Sequence, residues 1–276
     1  PINSDEFSLA RESMEKLRLS DSAFTFRPIS SMALGNGFHC GFLGLLHAEI
    51  VQERLSREFD LNMIATAPSV EYHLRLAPGV EGGKIGLSRQ LSVISKTDHR
   101  SPITDHFYVI QSAAEFPDPT YVDGVKEPIM QVTVYAPSRY VGGIMKVCQE
   151  KRGDYIDMKY IGVHGREAPH RAEGSGAGQV EMTYLMPLSE MIIDFFDRLK
   201  SISEGYASLD YEFLEFASVD VVKIDILVNR EKVDALSFLA VRDQAHARGG
   251  TIVERLAAVI PRQQFEIPIQ AAIGGQ

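Results

Sequence analysis

The chain is predicted to be α+β, with antiparallel sheets covered by helices on one face. Two patterns carry that expectation. Apolar and polar residues alternate in strand-like runs, the cleanest being Val70, Tyr72, Leu74 and Leu76 against Glu71, His73 and Arg75. Such alternation marks a sheet with one dry and one wet face. Between these runs apolar residues recur at helical steps, as in Leu188, Met191, Ile192, Phe195 and Leu199, which gives a helix one buried stripe.

Residues 4–17 read as a short helix, with Leu9, Met14 and Leu17 as apolar contacts and Ser4 or Asp5 as cap. Ser22 to Ile29 alternates and reads as a strand. Gly35–Gly44 reads as a turn feeding a helix that runs to about Phe59, with Leu43, Leu46, Ile50, Val51 and Leu55 expected to face a core. On the wet side Glu53–Arg57 and Arg54–Glu58 lie four apart, each pair worth roughly a few tenths of a kcal/mol. From Ala77 to about Tyr121 the pattern weakens and Pro and Gly punctuate it. Leu91–Ile94 and Phe107–Ile110 are expected as a short hairpin inside an insertion, followed by a linker.

Met130, Val132 and Val134 then alternate as a strand. A helix is expected from about Arg139 to Lys151, closed by Arg152-Gly153 with the glycine in the left-handed conformation. Tyr155–Ile161 reads as a strand and 163–178 as a loop. Val180, Met182 and Tyr184 open another strand, Pro187 opens a helix, and Leu209, Tyr211 and Phe213 form a last strand. The order β-α-β-β-α-β over residues 127–217 is that of a ferredoxin-like, split βαβ sandwich. The first stretch, α-β-β-α-β, fits a variant of the same two-layer plan. Beyond Ser218, Val222, Ile224, Ile226 and Val228 alternate, Val233–Leu239 is strand-like, and Arg242 to about Ile260 reads as a helix.

With 276 residues the chain has room for two domains, since a compact domain holds about 100–200 residues. No apolar run reaches the roughly 18 residues that a membrane span needs, and no secretory signal is readable. Cys40 and Cys148 are far apart, lack metal spacing and read as buried free thiols. A net charge of −9 argues against a general nucleic-acid binder and against DNA as a partner. Local contacts to RNA remain open, because Arg198, Lys200, Arg242, Arg248, Arg255 and Arg262 lie in the second half.

Motifs for catalysis are missing. Gly35-Asn-Gly37 begins like a dinucleotide loop but lacks the third glycine, and His47-Ala-Glu49 lacks the second histidine of a zinc helix. No GxxxxGK[ST] run occurs, so the chain by itself is not expected to hydrolyse GTP. No catalytic residue, metal site or cofactor site is expected within it.

Three runs are far more specific: Gly35-Asn-Gly-Phe-His-Cys-Gly-Phe-Leu-Gly-Leu-Leu-His47 with its continuation to Arg54, Tyr206-Ala-Ser-Leu-Asp-Tyr211, and Ile260-Pro-Arg-Gln-Gln-Phe265 with its continuation to Gly274. Together they resemble the post-GTPase part of the LepA family, relatives of elongation factor G. Glu127-Pro-Ile129, Lys151-Arg-Gly153 and Pro187-Leu-Ser-Glu190 are similar to both groups, whereas Pro261-Arg-Gln-Gln-Phe265 is similar to LepA in particular.

The resemblance implies two ferredoxin-like domains and the start of a third. Residues 1–120 look like domain III of elongation factor G with an insertion at about 79–118. Residues 125–217 look like its domain V, and 218–276 like the beginning of a LepA-type C-terminal domain. It further implies a GTPase domain upstream of Pro1, which would hold GTP and Mg. The implied partners are the ribosome, through its RNA and proteins, and tRNA, with the factor a monomer promoting GTP-dependent back-translocation. The implied location is the cytoplasm, with peripheral attachment to the membrane. Arg152, Lys200, Arg242 and Arg262 are the positions expected to face RNA, since Lys and Arg position phosphates. A competing reading, from the residues alone, is a ferredoxin-like ligand-sensing module, which would present a concave apolar pocket.

Overall fold

The computed structural model describes residues 1, 3–31, 35–66, 69–87, 90–95, 103–161, 178–261 and 267–274. Arg262 and all but the last residue of the loop expected over 163–178 lie outside the described residues. The chain forms two compact units, one made of Pro1–Ala67 with Val221–Gln276 and the other of Pro68–Asp220.

The first unit opens with helix α1 (Phe7–Ser20), strands β1 (Thr25–Ser31) and β2 (Gly35–Gly41), and helix α2 (Leu45–Phe59). Ala10, Met14 and Leu17 lie three or four apart on α1 and are buried against Phe24, Val51, Leu55 and Leu61. The glycine-rich run expected as a turn is a strand instead. It pairs antiparallel with β1 from Thr25 opposite Gly41 to Ser31 opposite Gly35. Alternation explains the difference, because Phe38 and Cys40 both pack on the core while Gly37 and Gly41 on either side of them leave β2 room to pair.

Helix α2 therefore starts later, and its stripe divides. Val51 and Leu55 are buried, but Leu43, Leu46 and Ile50 are 74%, 70% and 46% exposed. The expectation that all five face a core is corrected: only the last two do. A histidine closes the start of the helix. His47 Nδ1 accepts the Leu43 backbone N–H at 3.1 Å, so its Nε2–H donates to Asp21 Oδ2 at 2.6 Å. The two charge pairs expected on the wet side are present, Arg57–Glu53 at 2.5 Å and Arg54–Glu58 at 2.7 Å.

The second unit is built on one seven-stranded antiparallel sheet. Its elements are β3 (Tyr72–Leu76), β4 (Gln90–Ser95), β5 (Ile103–Ile110), β6 (Val122–Pro137), α3 (Val141–Glu150), β7 (Asp154–Ile161), β8 (Gln179–Pro187), α4 (Leu188–Met191), α5 (Phe195–Ile202) and β9 (Ser208–Val219). The strand order is β4-β5-β3-β6-β8-β7, with β9 also pairing β6. From β6 to β9 this is the expected β-α-β-β-α-β order, with four antiparallel strands under α3 and a second helical segment divided into α4 and α5. Met130, Val132, Val134, Val180, Met182, Tyr184 and Met186 meet Ile144, Val147, Cys148, Phe195 and Leu199 of the helices in one core.

The expected hairpin within 79–118 forms as β4 and β5, but it is more than an insertion. Through β3 it extends the sheet from the edge of β6, with His73 opposite both Val109 and Lys126. The helix expected after Pro187 is broken, α4 ending at Met191 and α5 starting at Phe195.

The chain returns to the first unit as β10 (Val221–Val228), β11 (Glu231–Lys232), β12 (Phe238–Val241), α6 (Arg242–Val259) and β13 (Ile269–Ile273). Strand β10 pairs β11, β12 and β13, all antiparallel. Val222, Ile224 and Ile226 alternate inward onto Ala245, Ile252 and Leu256 of α6. The run from Val233 to Leu239, expected as strand, makes a 3-10 turn at Asp234–Leu236 before β12.

Candidate nucleic-acid interface

In the second unit the open face of the sheet is rich in carboxylates. Residues opposite one another on β6, β8, β7 and β9 share a face, and the buried set faces the helices. The other face carries Asp157 opposite Thr183, Lys159 opposite Glu181, Asp210 opposite Thr133 and Glu212 opposite Gln131. Lys159 pairs with Asp157 at 3.5 Å and Glu181 at 3.8 Å. Partial burial, then the Glu181 and Asp210 charges, push the Tyr135 phenol upward. A face of this sign disfavours phosphate.

On the helix side the packing is close. An added Cβ on Gly143 of α3 would stand 2.6 Å from Ile202 Cγ2 of α5. Only glycine lets the two helices approach so nearly. Arg198–Glu150 and Lys151–Asp194 ion pairs also join them. Helix α5 ends in a turn organised by buried Ser203, whose hydroxyl donates to Leu199 O at 2.8 Å and accepts the Ala207 N–H at 3.0 Å. Glu204 and Gly205 follow with φ of 52° and 83°. The Gly205 N–H closes the helix end on Lys200 O at 2.8 Å.

Of the four positions expected to face RNA, Lys200 lies in the last turn of α5, where a cation suits the helix dipole. Its Nζ is 5.3 Å from the ring centroid of Phe196, which is half exposed. Arg152 is turned inward. Nη1 donates to Glu127 Oε2 at 3.2 Å, Nη2 donates to Glu127 Oε1, and Glu190 lies 3.9 Å from Nη1. Both glutamates are buried, so the charge of Arg152 is engaged in balancing theirs. Arg242 opens α6 in the other unit and is exposed. Arg262 lies outside the described residues. The structure thus keeps Lys200 and Arg152 in one unit and Arg242 in the other.

Nothing in the local pattern marks Arg139 and Tyr140 as site residues. They precede α3 and join Tyr206 only through the α3–α5 contact. The run beginning at Tyr206 is visible in the sequence, but its neighbours across the fold are not.

Features for small-molecule chemistry are sparse among the described residues. No group of three metal-ligating side chains occurs there, and no helix there is long and apolar enough to cross a membrane. A surface depression of about 350 Å³ is lined by Glu12, Glu15, Lys16, Arg18 and Leu19, a charged rather than apolar setting. Burial pushes the thiols of Cys40 and Cys148 up to about 11 and about 12, which suppresses the thiolate that a nucleophile needs.

Comparison with known proteins is unambiguous over the whole chain. The family described as elongation factor G C-terminus matches residues 124–227, and that described as GTP-binding protein LepA C-terminus matches 228–276. Elongation factor 4 of Thermus thermophilus is 46% identical over 276 residues, covering 100% of this chain and 39% of that protein. Elongation factor 4 of Bacillus cytotoxicus is 45% identical over 276 residues, again 100% and 39%, and that of Streptococcus uberis 43% over 274 residues, 99% and 38%. The chain thus spans 39% or less of the length of these relatives. On this similarity, the chain belongs to the LepA family of translation factors.

Proposed function

We propose that these units form the ribosome-binding part of a LepA-type elongation factor that promotes GTP-dependent back-translocation of tRNA. GTP and Mg would be held by a GTPase domain of the whole factor. Nucleotide would act by favouring one shape of the factor, and the units described above would make the contacts that differ between ribosomal states. Residues 1–120 and 125–217 would correspond to domains III and V of elongation factor G, and 218–276 to the LepA-type C-terminal domain. Such a factor would act as a monomer in the cytoplasm, with peripheral attachment to the membrane.

The observation that carries this reading is 43–46% identity to elongation factor 4 along the full chain. The second unit supports it, since on its helix side Arg139 lies beside Tyr140 and Tyr206 and Lys200 beside the half-exposed Phe196. The charged lining of the described depression gives a ligand-sensing module little support. Cosedimentation of the chain with 70S ribosomes at low salt tests the proposal. Recovery in the ribosome pellet supports it, and a chain that stays in the supernatant with 70S, 50S and 30S particles alike refutes it.

A further inference from the structure

Arg139, Tyr140 and Tyr206 form a single surface cluster in which Arg139 and Tyr206 are exposed and Tyr140 is half-buried. The Arg139 guanidinium carbon lies 4.6 Å from the Tyr140 ring centroid and 5.2 Å from that of Tyr206. Arg139 Nη2 donates to the Tyr140 hydroxyl at 2.9 Å. The two rings are within 17° of parallel, with centroids 6.3 Å apart. Tyr206 remains 63% exposed. Two flat side chains and one planar cation are therefore gathered in one place while one ring still faces solvent.

The fold holds this arrangement from both ends. Tyr140 ends the 3-10 turn Ser138–Tyr140 that leads into α3, and Tyr206 follows the paired left-handed residues Glu204 and Gly205 after α5. The contact between Gly143 and Ile202 brings these two ends together. The Tyr206 N–H donates to Ser203 O at 2.9 Å, and Ala207 beside it is buried. The backbone on both sides of the exposed ring is thus fixed, and little ordering is left for a ligand to impose.

We infer that Arg139, Tyr140 and Tyr206 are a stacking site for one unpaired nucleobase of an RNA loop. A base offers a flat π face to the free side of Tyr206, and an arginine already held beside the rings adds cation–π attraction. Unpaired, splayed bases are the form in which RNA presents such faces to aromatic and arginine side chains. The carboxylates on the open sheet face of the same unit disfavour phosphate, and this cluster lies away from them at the ends of α3 and α5. The inference rests on the ribosome reading and deepens it by naming a subsite and the moiety that fills it.

The chain contains no tryptophan, so Tyr206→Trp supplies a single fluorescent reporter at the site. Hexa-adenylate is expected to quench the emission of that variant, and an abasic hexamer of the same charge is not. Tyr206→Ala is expected to weaken 70S binding about tenfold, Tyr206→Trp to retain it, and Arg139→Lys to lose a few fold. Quenching by both oligomers alike, or by neither, overturns the stacking site. Should the chain cosediment with ribosomes while the Tyr206→Trp indole ignores hexa-adenylate, the ribosome reading stands and this inference falls. Should that indole respond to the base while the chain fails to cosediment, the stacking site stands and the ribosome reading falls.

Discussion

Arg152 grips the buried Glu127 with both terminal nitrogens while its own backbone is left-handed, at φ 57°. A non-glycine residue in that region costs roughly 1 kcal/mol, so the pair is held against backbone preference. Tyr72 belongs to the same cluster. Its hydroxyl shares a hydrogen bond with Ser189, whose Oγ donates to Glu127 at 3.3 Å. Strand β3 is thereby tied to the end of α3 and the start of α4.

Arg152→Ala leaves two buried carboxylates without this cation and is expected to destabilise the second unit by about 3 kcal/mol. Arg152→Lys is expected to recover part of that, because an ammonium supplies charge without the two-pronged geometry. Urea unfolding followed by circular dichroism measures both. A loss for Arg152→Ala within about 0.5 kcal/mol, the usual range for surface changes, would mean that the pair is ornamental.

Gly143→Ala is expected to push α3 and α5 apart, since the new methyl meets Ile202 Cγ2 at 2.6 Å. Overpacking of this kind costs about 1–3 kcal/mol. Ile202→Ala in the same chain should return part of the loss by vacating the space. Thermal melts of the single and double variants check the coupling, and simple addition of the two losses would count against a direct contact.

The thiol of Cys148 is raised from an ordinary 9.0 to about 12 by burial. At pH 8 only about one molecule in ten thousand then carries the reactive thiolate. A disulfide-exchange reagent should label the denatured chain quickly and the native Cys148 hardly at all. The same shift sets a stability trend. The unfolded thiol loses its proton near pH 9 while the folded one keeps it to about 12, so stability falls as pH rises through that window. Tyr72, raised mainly by burial and then by Glu127, and Tyr184, raised mainly by burial, both to about 12, act in the same direction above pH 10. Rising melting temperatures between pH 9 and 11 would contradict this.

Much of the second unit is legible in the sequence because its strands alternate cleanly and its helices repeat their apolar steps. Val132, Val134, Val180 and Met182 all point inward as the alternation requires. The misreadings share a cause, which is that local pattern gives an element's type but not its cover. Leu43, Leu46 and Ile50 have the spacing of a buried stripe, yet β1, β2 and α1 cover only the neighbouring Val51 and Leu55. The left-handed turn expected at Gly153 is taken by Arg152 instead. The glycine is required by space, since a Cβ there would lie 2.8 Å from Cys148 O and 2.9 Å from Met186 Cε. At the candidate interface the charge of Lys200 and Arg242 is readable one residue at a time. The inward pairing of Arg152, and the meeting of Arg139 with Tyr206 across 67 residues of chain, exist only in the fold.

Ribosome association through RNA phosphates is the central claim, and the salt dependence of 70S affinity tests it most directly. The logarithm of affinity should fall linearly with the logarithm of KCl concentration, and the slope should lessen by about one for Lys200→Ala and for Arg242→Ala. Arg152→Gln, which removes the charge, should leave the slope unchanged, since that charge is engaged with Glu127. An affinity indifferent to salt, or a slope that none of these variants alters, would contradict it.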